Sequence, residues 1–185
     1  MNKLRFARDG YILMSIVFYI AGLAYILLPE MSPLAICITS GVVLVIYGII
    51  KIIGYFSNDL YCLAFQYDFA CGLFLMTLGV IVLACNQRMI THLSAGLGVL
   101  VLLDSLLSLQ MSKDAKQFGL TTWTVILTTS IIAAVFSVLL IIKPYHSPLA
   151  AHLVAGGTLL AEGLKSHCVV MLTVKTMKRH SPGNK

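Results

Sequence analysis

Two acidic residues stand in stretches that offer them no water. Asp104 lies in the run VLVLLDSLLSL and Glu162 in GTLLAEGLK. A charged side chain near the middle of a bilayer costs several kcal/mol on insertion scales, so such residues face a bundle interior or a water-filled cavity. There they can bind a cation or exchange a proton. Tyr47 falls at the equivalent place in an earlier apolar run and can donate a hydrogen bond. Lys51, one helical turn further on, supplies a counter-charge. These four residues form a candidate intramembrane polar site. The alternative is structural: neutral acids that bridge helices, or Asp104–Lys51 and Glu162–Lys165 pairs with no transport role. Glu162 and Lys165 are three apart and can meet on one helix face. Asp68, beside Tyr67 at the start of another apolar run, reads as a solvated or helix-N-terminal residue favoured by the helix dipole.

A second set is built on histidine, whose ordinary pKa lies where an acidifying exterior would titrate it. His92, His146 and His152 all fall toward one side of the apolar runs. They form a candidate pH-responsive outer face, with ordinary interfacial histidines as the alternative. No metal is expected, because close ligand spacing with a carboxylate partner is lacking. Trp123, Tyr11, Tyr55, Tyr61, Tyr67 and Phe118 fit an interfacial aromatic belt on the opposite side. The five cysteines, Cys37, Cys62, Cys71, Cys85 and Cys168, read as small apolar residues rather than a disulfide framework. The sequence carries no nucleophile–base pair, phosphate loop or nucleotide fingerprint. The expectation is a protein that is not an enzyme and has no cofactor.

The elements that position these residues follow from composition. Of 185 residues, 59% are hydrophobic and 11% charged, with a mean hydropathy of +0.94. Soluble domains carry about 45–50% apolar and about 25% charged residues. A soluble enzyme, a disordered chain and a disulfide mini-protein are excluded, and an all-α membrane protein is expected. Apolar runs fall at 11–28, 34–56, 63–85, 89–110, 120–142 and 148–172, each long enough for a transmembrane helix. The first follows Lys3, Arg5 and Arg8 but has no small-x-small cleavage site, so it reads as an uncleaved span. Tight breaks at 29–33, 86–88 and 143–147 make hairpins of spans one and two, three and four, five and six. This divides the chain into a basic N-terminal segment 1–10, hairpins 11–56, 63–110 and 120–172, and a basic tail 173–185. Lys165 and His167 leave the end of the sixth span open between Leu164 and Thr173.

With the N-terminus cytoplasmic, eleven Lys and Arg lie inside and only Arg88 and Lys143 outside. That asymmetry places both termini in the cytoplasm. The formal net charge of +6 then reads as orientation and contact with anionic lipid headgroups. No nucleic-acid partner is expected, since basic and aromatic residues are not interleaved.

The chain also repeats on itself at offsets of 57 and 115. Four columns are small in every copy: Ser15, Gly72 and Ser130; Gly22, Gly79 and Ser137; Gly41, Gly98 and Gly156; Gly48, Ser105 and Gly163. Columns seven apart share a helix face, and small residues there let helix backbones approach closely in lipid. The same register aligns Tyr47, Asp104 and Glu162, and the turn prolines Pro29 with Pro144 and Pro33 with Pro148. Three hairpins of like orientation predict a six-helix bundle with pseudo-threefold character. Glycine faces of this kind also suit a second copy of the chain or another membrane protein as partner.

Three tandem two-helix repeats, with the spacing from Gly22 to Pro29 and the seven-residue steps Gly41 to Gly48 and Gly156 to Gly163, resemble the HdeD-like short-repeat membrane proteins. The resemblance spans about residues 10–172. Asn86 and Ser105 depart from the pattern in the second hairpin. It implies a bacterial inner-membrane protein with a non-enzymatic role in acid or envelope stress tolerance, and it brings no catalytic residues. Two other classes remain open: a small channel or proton-coupled transporter using the Asp104/Glu162 layer, and a structural helix-packing partner in a membrane complex.

Overall fold

The computed structural model describes residues 2–28, 33–56, 68–84, 93–117, 119, 122–142 and 148–180. Six helices occupy them: α1 (Asn2–Leu27), α2 (Pro33–Tyr55), α3 (Asp68–Ala84), α4 (Leu93–Gln117), α5 (Trp123–Ile142) and α6 (Pro148–His180). Segments Asp9–Leu27, Ile38–Tyr55, Ala95–Gln117 and Trp123–Ile142 are long and apolar enough to cross a membrane, and α3 is a shorter apolar helix. The fold is that of an all-helical membrane protein. The basic N-terminal segment is the first part of α1. The sixth helix does not stop at Leu164 or Thr173. It runs unbroken through Lys165 and His167 to His180, because a lysine and a histidine have nothing against helical backbone once partners are found for them.

Polarity is arranged so that aliphatic side chains point outward. On α1, Leu13, Ile16, Ile20, Leu23 and Leu27 are exposed, while Tyr11, Met14, Ser15 and Phe18 are buried. On α5 the inward stripe is Ile126, Thr129, Ser130, Ala133, Ser137 and Leu140, and on α3 it is Asp68, Gly72, Leu75, Gly79 and Val82. Hydrocarbon solvates the outward aliphatics. Small inward residues let the helices come close enough for dispersion contact, which in lipid is what favours association.

The closest helix pairs are α2 with α3, α4 with α5, and α1 with α6, so intimate packing falls between the expected hairpins rather than within them. In the first pair, a Cβ built on Gly48 would lie 2.7 Å from the Gly72 carbonyl oxygen, and one on Gly79 2.9 Å from that of Gly41. In the third pair, a Cβ on Gly156 would lie 2.7 Å from the Gly22 carbonyl oxygen and one on Gly163 3.1 Å from that of Ser15. In the second, a Cβ on Gly98 would lie 3.1 Å from the Ser137 carbonyl oxygen, while Ser105 and Ser130 are fully buried on the same two helices. The seam serines largely satisfy themselves: Ser15 donates to the Tyr11 carbonyl at 2.9 Å and Ser130 to that of Ile126 at 2.7 Å. Secondary packing of α1 on α2 and of α5 on α6 extends the body. Between α3 and α4, contact is nearly absent among the described residues. The turn from α4 to α5 uses Gly119 at φ 72°, a left-handed conformation that a residue without Cβ adopts at no steric cost.

Candidate functional site

Five ionisable side chains from four helices meet inside the bundle. Lys51 projects from α2, Asp68 from the first turn of α3, Asp104 from the middle of α4, and Glu162 and Lys165 from one face of α6. The Lys51 ammonium lies 2.9 Å from Asp68 Oδ1 and 2.9 Å from Asp104 Oδ1. Lys165 Nζ lies 2.6 Å from Asp104 Oδ2 and 2.6 Å from Glu162 Oε2. The chain of contacts therefore runs Asp68–Lys51–Asp104–Lys165–Glu162. Lys165 and Glu162 are almost wholly sequestered, at 1% and 2% exposure, so neither can draw on bulk solvent for its charge.

Aromatic hydroxyls close the ends of the chain. Tyr11 on α1 donates to Asp68 Oδ2. Tyr47 lies within hydrogen-bond distance of Ser166, 3.3 Å between oxygens, and Ser166 in turn donates to Glu162 Oε1 at 3.4 Å. The Lys51 ammonium also sits 5.4 Å from the Tyr11 ring centre and 5.1 Å from that of Tyr47, close enough for attraction to both π faces. Beside the charge cluster the packing is apolar, with Leu44, Leu75, Leu100 and Leu159 in one core with Met14, Phe18, Tyr11 and Tyr47.

The charges do not balance. Among the described residues the cluster holds two ammonium groups and three carboxyl groups. Asp104 is held between both lysines, and Asp68 has Lys51 and Tyr11. Glu162 has Lys165 and the Ser166 hydroxyl, and its Oε2, although at ion-pair distance from Lys165, has no aligned hydrogen bond. Asp68 and Glu162, at the two ends, each share one lysine with Asp104, and Glu162 differs in having an oxygen without an aligned donor. Buried ion pairs contribute little net stability because desolvation offsets attraction, yet removing one partner typically costs about 3–5 kcal/mol. The cluster ties α2, α3, α4 and α6 together directly, and α1 through Tyr11.

The candidate polar residues Tyr47, Lys51, Asp104 and Glu162 are brought into one cluster. Asp68 is a correction. It does open a helix, but it is buried at 6% exposure and paired, because α3 packs so closely on α2 that its first turn meets Lys51. Tyr11 is likewise a buried core residue rather than a belt residue, since its ring and hydroxyl cover the Asp68–Lys51 pair. The signal for both was in the register: an offset of 57 sets Asp68 on Tyr11, four residues before the first small column. Of the histidines, His152 is half-buried on α6, its ring 6.0 Å from that of Tyr25, and His92 and His146 lie outside the described residues. Trp123 is half-buried at the start of α5 with the Lys116 ammonium 4.6 Å from its ring centre. Cys71 and Cys168 are free thiols. Among the described residues no three His, Cys, Asp or Glu side chains converge as a metal site.

The helices and their buried charges define a membrane protein with an internal polar cluster. Within it, residues 13–84 match the model of a short repeat of unknown function (DUF308). That stretch covers most of α1, all of α2 and α3, and so includes the Gly48–Gly72 and Gly41–Gly79 crossings. No curated protein and no solved structure is detectably similar to the chain.

Proposed function

We propose that this chain is a bacterial inner-membrane protein of HdeD-like type that serves acid or envelope stress tolerance without catalysis, through reversible protonation of its buried charge cluster. It crosses the bilayer six times as three like-oriented hairpins in a pseudo-threefold bundle, with both termini in the cytoplasm and its basic ends against anionic headgroups. The short-repeat match over residues 13–84 supports the family side of this reading. The mechanistic side is carried by one observation: two lysines face three carboxyls, and Glu162 is left with an unaligned oxygen.

Protonating Glu162 brings the cluster to two positive and two negative charges. The groups that face it are Lys165 and Ser166 on its own helix, Asp104 on α4 and Tyr47 on α2, with Lys51 beyond Asp104 and Asp68 and Tyr11 beyond Lys51. A neutral Glu162 releases its claim on Lys165, which then pairs with Asp104 alone. The change is transmitted to α4 and α6, the helices that those two residues join. The apolar core of Leu44, Leu75, Leu100 and Leu159 favours this switching role over the channel or proton-coupled transporter reading, which needs a polar path through the same place.

The test is survival of an acid challenge by cells lacking the chain and complemented with matched membrane levels of wild type, Glu162→Gln or Glu162→Asp. Wild type and Glu162→Asp should protect and Glu162→Gln should not. Full protection by Glu162→Gln overturns the reading. Sustained proton flux in proteoliposomes that Glu162→Gln abolishes replaces it with the transporter reading.

A further inference from the structure

The gap between α3 and α4 holds a cavity of about 380 Å³. Its walls are apolar and aromatic, with Phe18 from α1, Phe74 from α3 and Leu107 from α4 among them. Two of its lining residues, Phe74 and Leu103, are 44% and 42% exposed on the outer surface, so the cavity opens sideways, toward acyl chains in a bilayer-embedded bundle. The inner end is different in kind. Asp104, Glu162 and Tyr47 line it, whereas Lys51, Lys165 and Asp68 do not. The charge cluster thus turns carboxylates toward the cavity and keeps its ammonium groups behind them. The Asp104 side chain retains 17% exposure, the largest share among the five ionisable side chains of the cluster.

We propose that this cavity is a binding site for a monovalent lipophilic organic cation, of the aromatic quaternary ammonium class, that enters from the bilayer between α3 and α4. Three features select that chemistry. The surplus carboxylate charge attracts a cation and repels an anion. Phe18, Tyr47 and Phe74 line the cavity, and aromatic rings attract a diffuse positive charge, a recurrent mode of quaternary ammonium recognition. The volume and the mostly apolar lining with a few convergent polar groups match small-molecule sites. A hydrated metal ion is disfavoured, because the apolar walls offer too few oxygen ligands to replace its water. A lipid headgroup carrying phosphate is disfavoured by the two carboxylates. The inference uses the membrane-embedded reading for its route of entry and is independent of acid protection.

The experiment uses the full chain in lipid nanodiscs, with ethidium as probe and its fluorescence rise on transfer out of water as readout. Wild type should bind saturably, above the level of empty nanodiscs. Glu162→Gln removes the surplus charge while leaving two matched pairs, and should weaken binding at least tenfold, with Glu162→Asp restoring it. Ala70→Trp adds bulk to the cavity wall from α3 while keeping every charged side chain, and should abolish binding. The anionic dye anilinonaphthalene sulfonate should show no saturable binding. Ethidium binding no greater than that of empty nanodiscs, unchanged binding in either variant, or equal binding of the anion overturns the proposal. Ala70→Trp also separates the two proposals, since it should lose ethidium binding and keep acid protection.

Discussion

Glu162 and Asp104 occupy the same register position yet carry different burdens. Asp104 sits between two ammonium groups, and Glu162 has one. Asp104→Asn leaves two matched pairs, Lys51 with Asp68 and Lys165 with Glu162, but cuts the bridge that α4 makes to both lysines, whereas Lys165→Met leaves both Asp104 and Glu162 short of a partner. Lys165→Met should lower the stability of the bundle by about 3–5 kcal/mol, the cost of leaving a buried charge unpaired, and Asp104→Asn by less. Glu162→Gln should cost less than about 1 kcal/mol at neutral pH, because it removes the uncompensated charge and keeps a side chain that can hydrogen-bond Ser166. Thermal or chemical unfolding of the three variants in one detergent ranks them; equal losses for all three would mean that the charge count does not govern the cluster. Tyr47, Asp104 and Glu162 could be aligned from the sequence alone by the offsets of 57 and 115. Asp68 could have been aligned with Tyr11 in the same way, but its immediate neighbours suggested a solvated helix start. Its burial depends on which helix lies against α3, and that is not a local property.

At the scale of the helix, the small columns decide how closely backbones approach. A Cβ on Gly72 would lie 2.7 Å from the Gly48 carbonyl oxygen, whereas one on Gly96 meets nothing within 4 Å. Gly72→Ala forces α2 and α3 apart and should destabilise by about 1–3 kcal/mol, the usual cost of overpacking. Gly96→Ala should be neutral or stabilising by about 0.5–1 kcal/mol, since alanine loses less backbone entropy in a helix. Paired unfolding midpoints check both, and a destabilising Gly96→Ala would show that the seams are not where the contacts place them. The columns were legible because small residues recur at a fixed offset. Their partners across the seams were not. In a membrane both lipid and core are apolar, so the hydropathy pattern marks a helix as a span without saying which neighbour it packs against. That is why the near-absence of contact between α3 and α4, and the cavity it leaves, could not be anticipated.

For the whole molecule, the three close pairs are α2–α3, α4–α5 and α1–α6, the last bringing the final helix back to the first, while the charge cluster crosses between them. The proposed topology makes a direct prediction. In a chain whose native cysteines are replaced, a membrane-impermeant thiol reagent should modify Arg88→Cys and His146→Cys from outside, and Lys116→Cys and Asn184→Cys only after permeabilisation. Labelling of any pair from the wrong side would refute three like-oriented hairpins. The proposed mechanism depends on the surplus carboxyl taking up a proton. The most direct measurement is the pH-difference infrared spectrum of the full chain in bilayers. Acidification from neutral pH should raise one carbonyl-stretch band of a buried carboxylic acid, present in wild type and in Asp9→Asn and missing in Glu162→Gln. The absence of such a band in wild type, or its persistence in Glu162→Gln, would contradict proton uptake at Glu162 and with it the proposed mechanism.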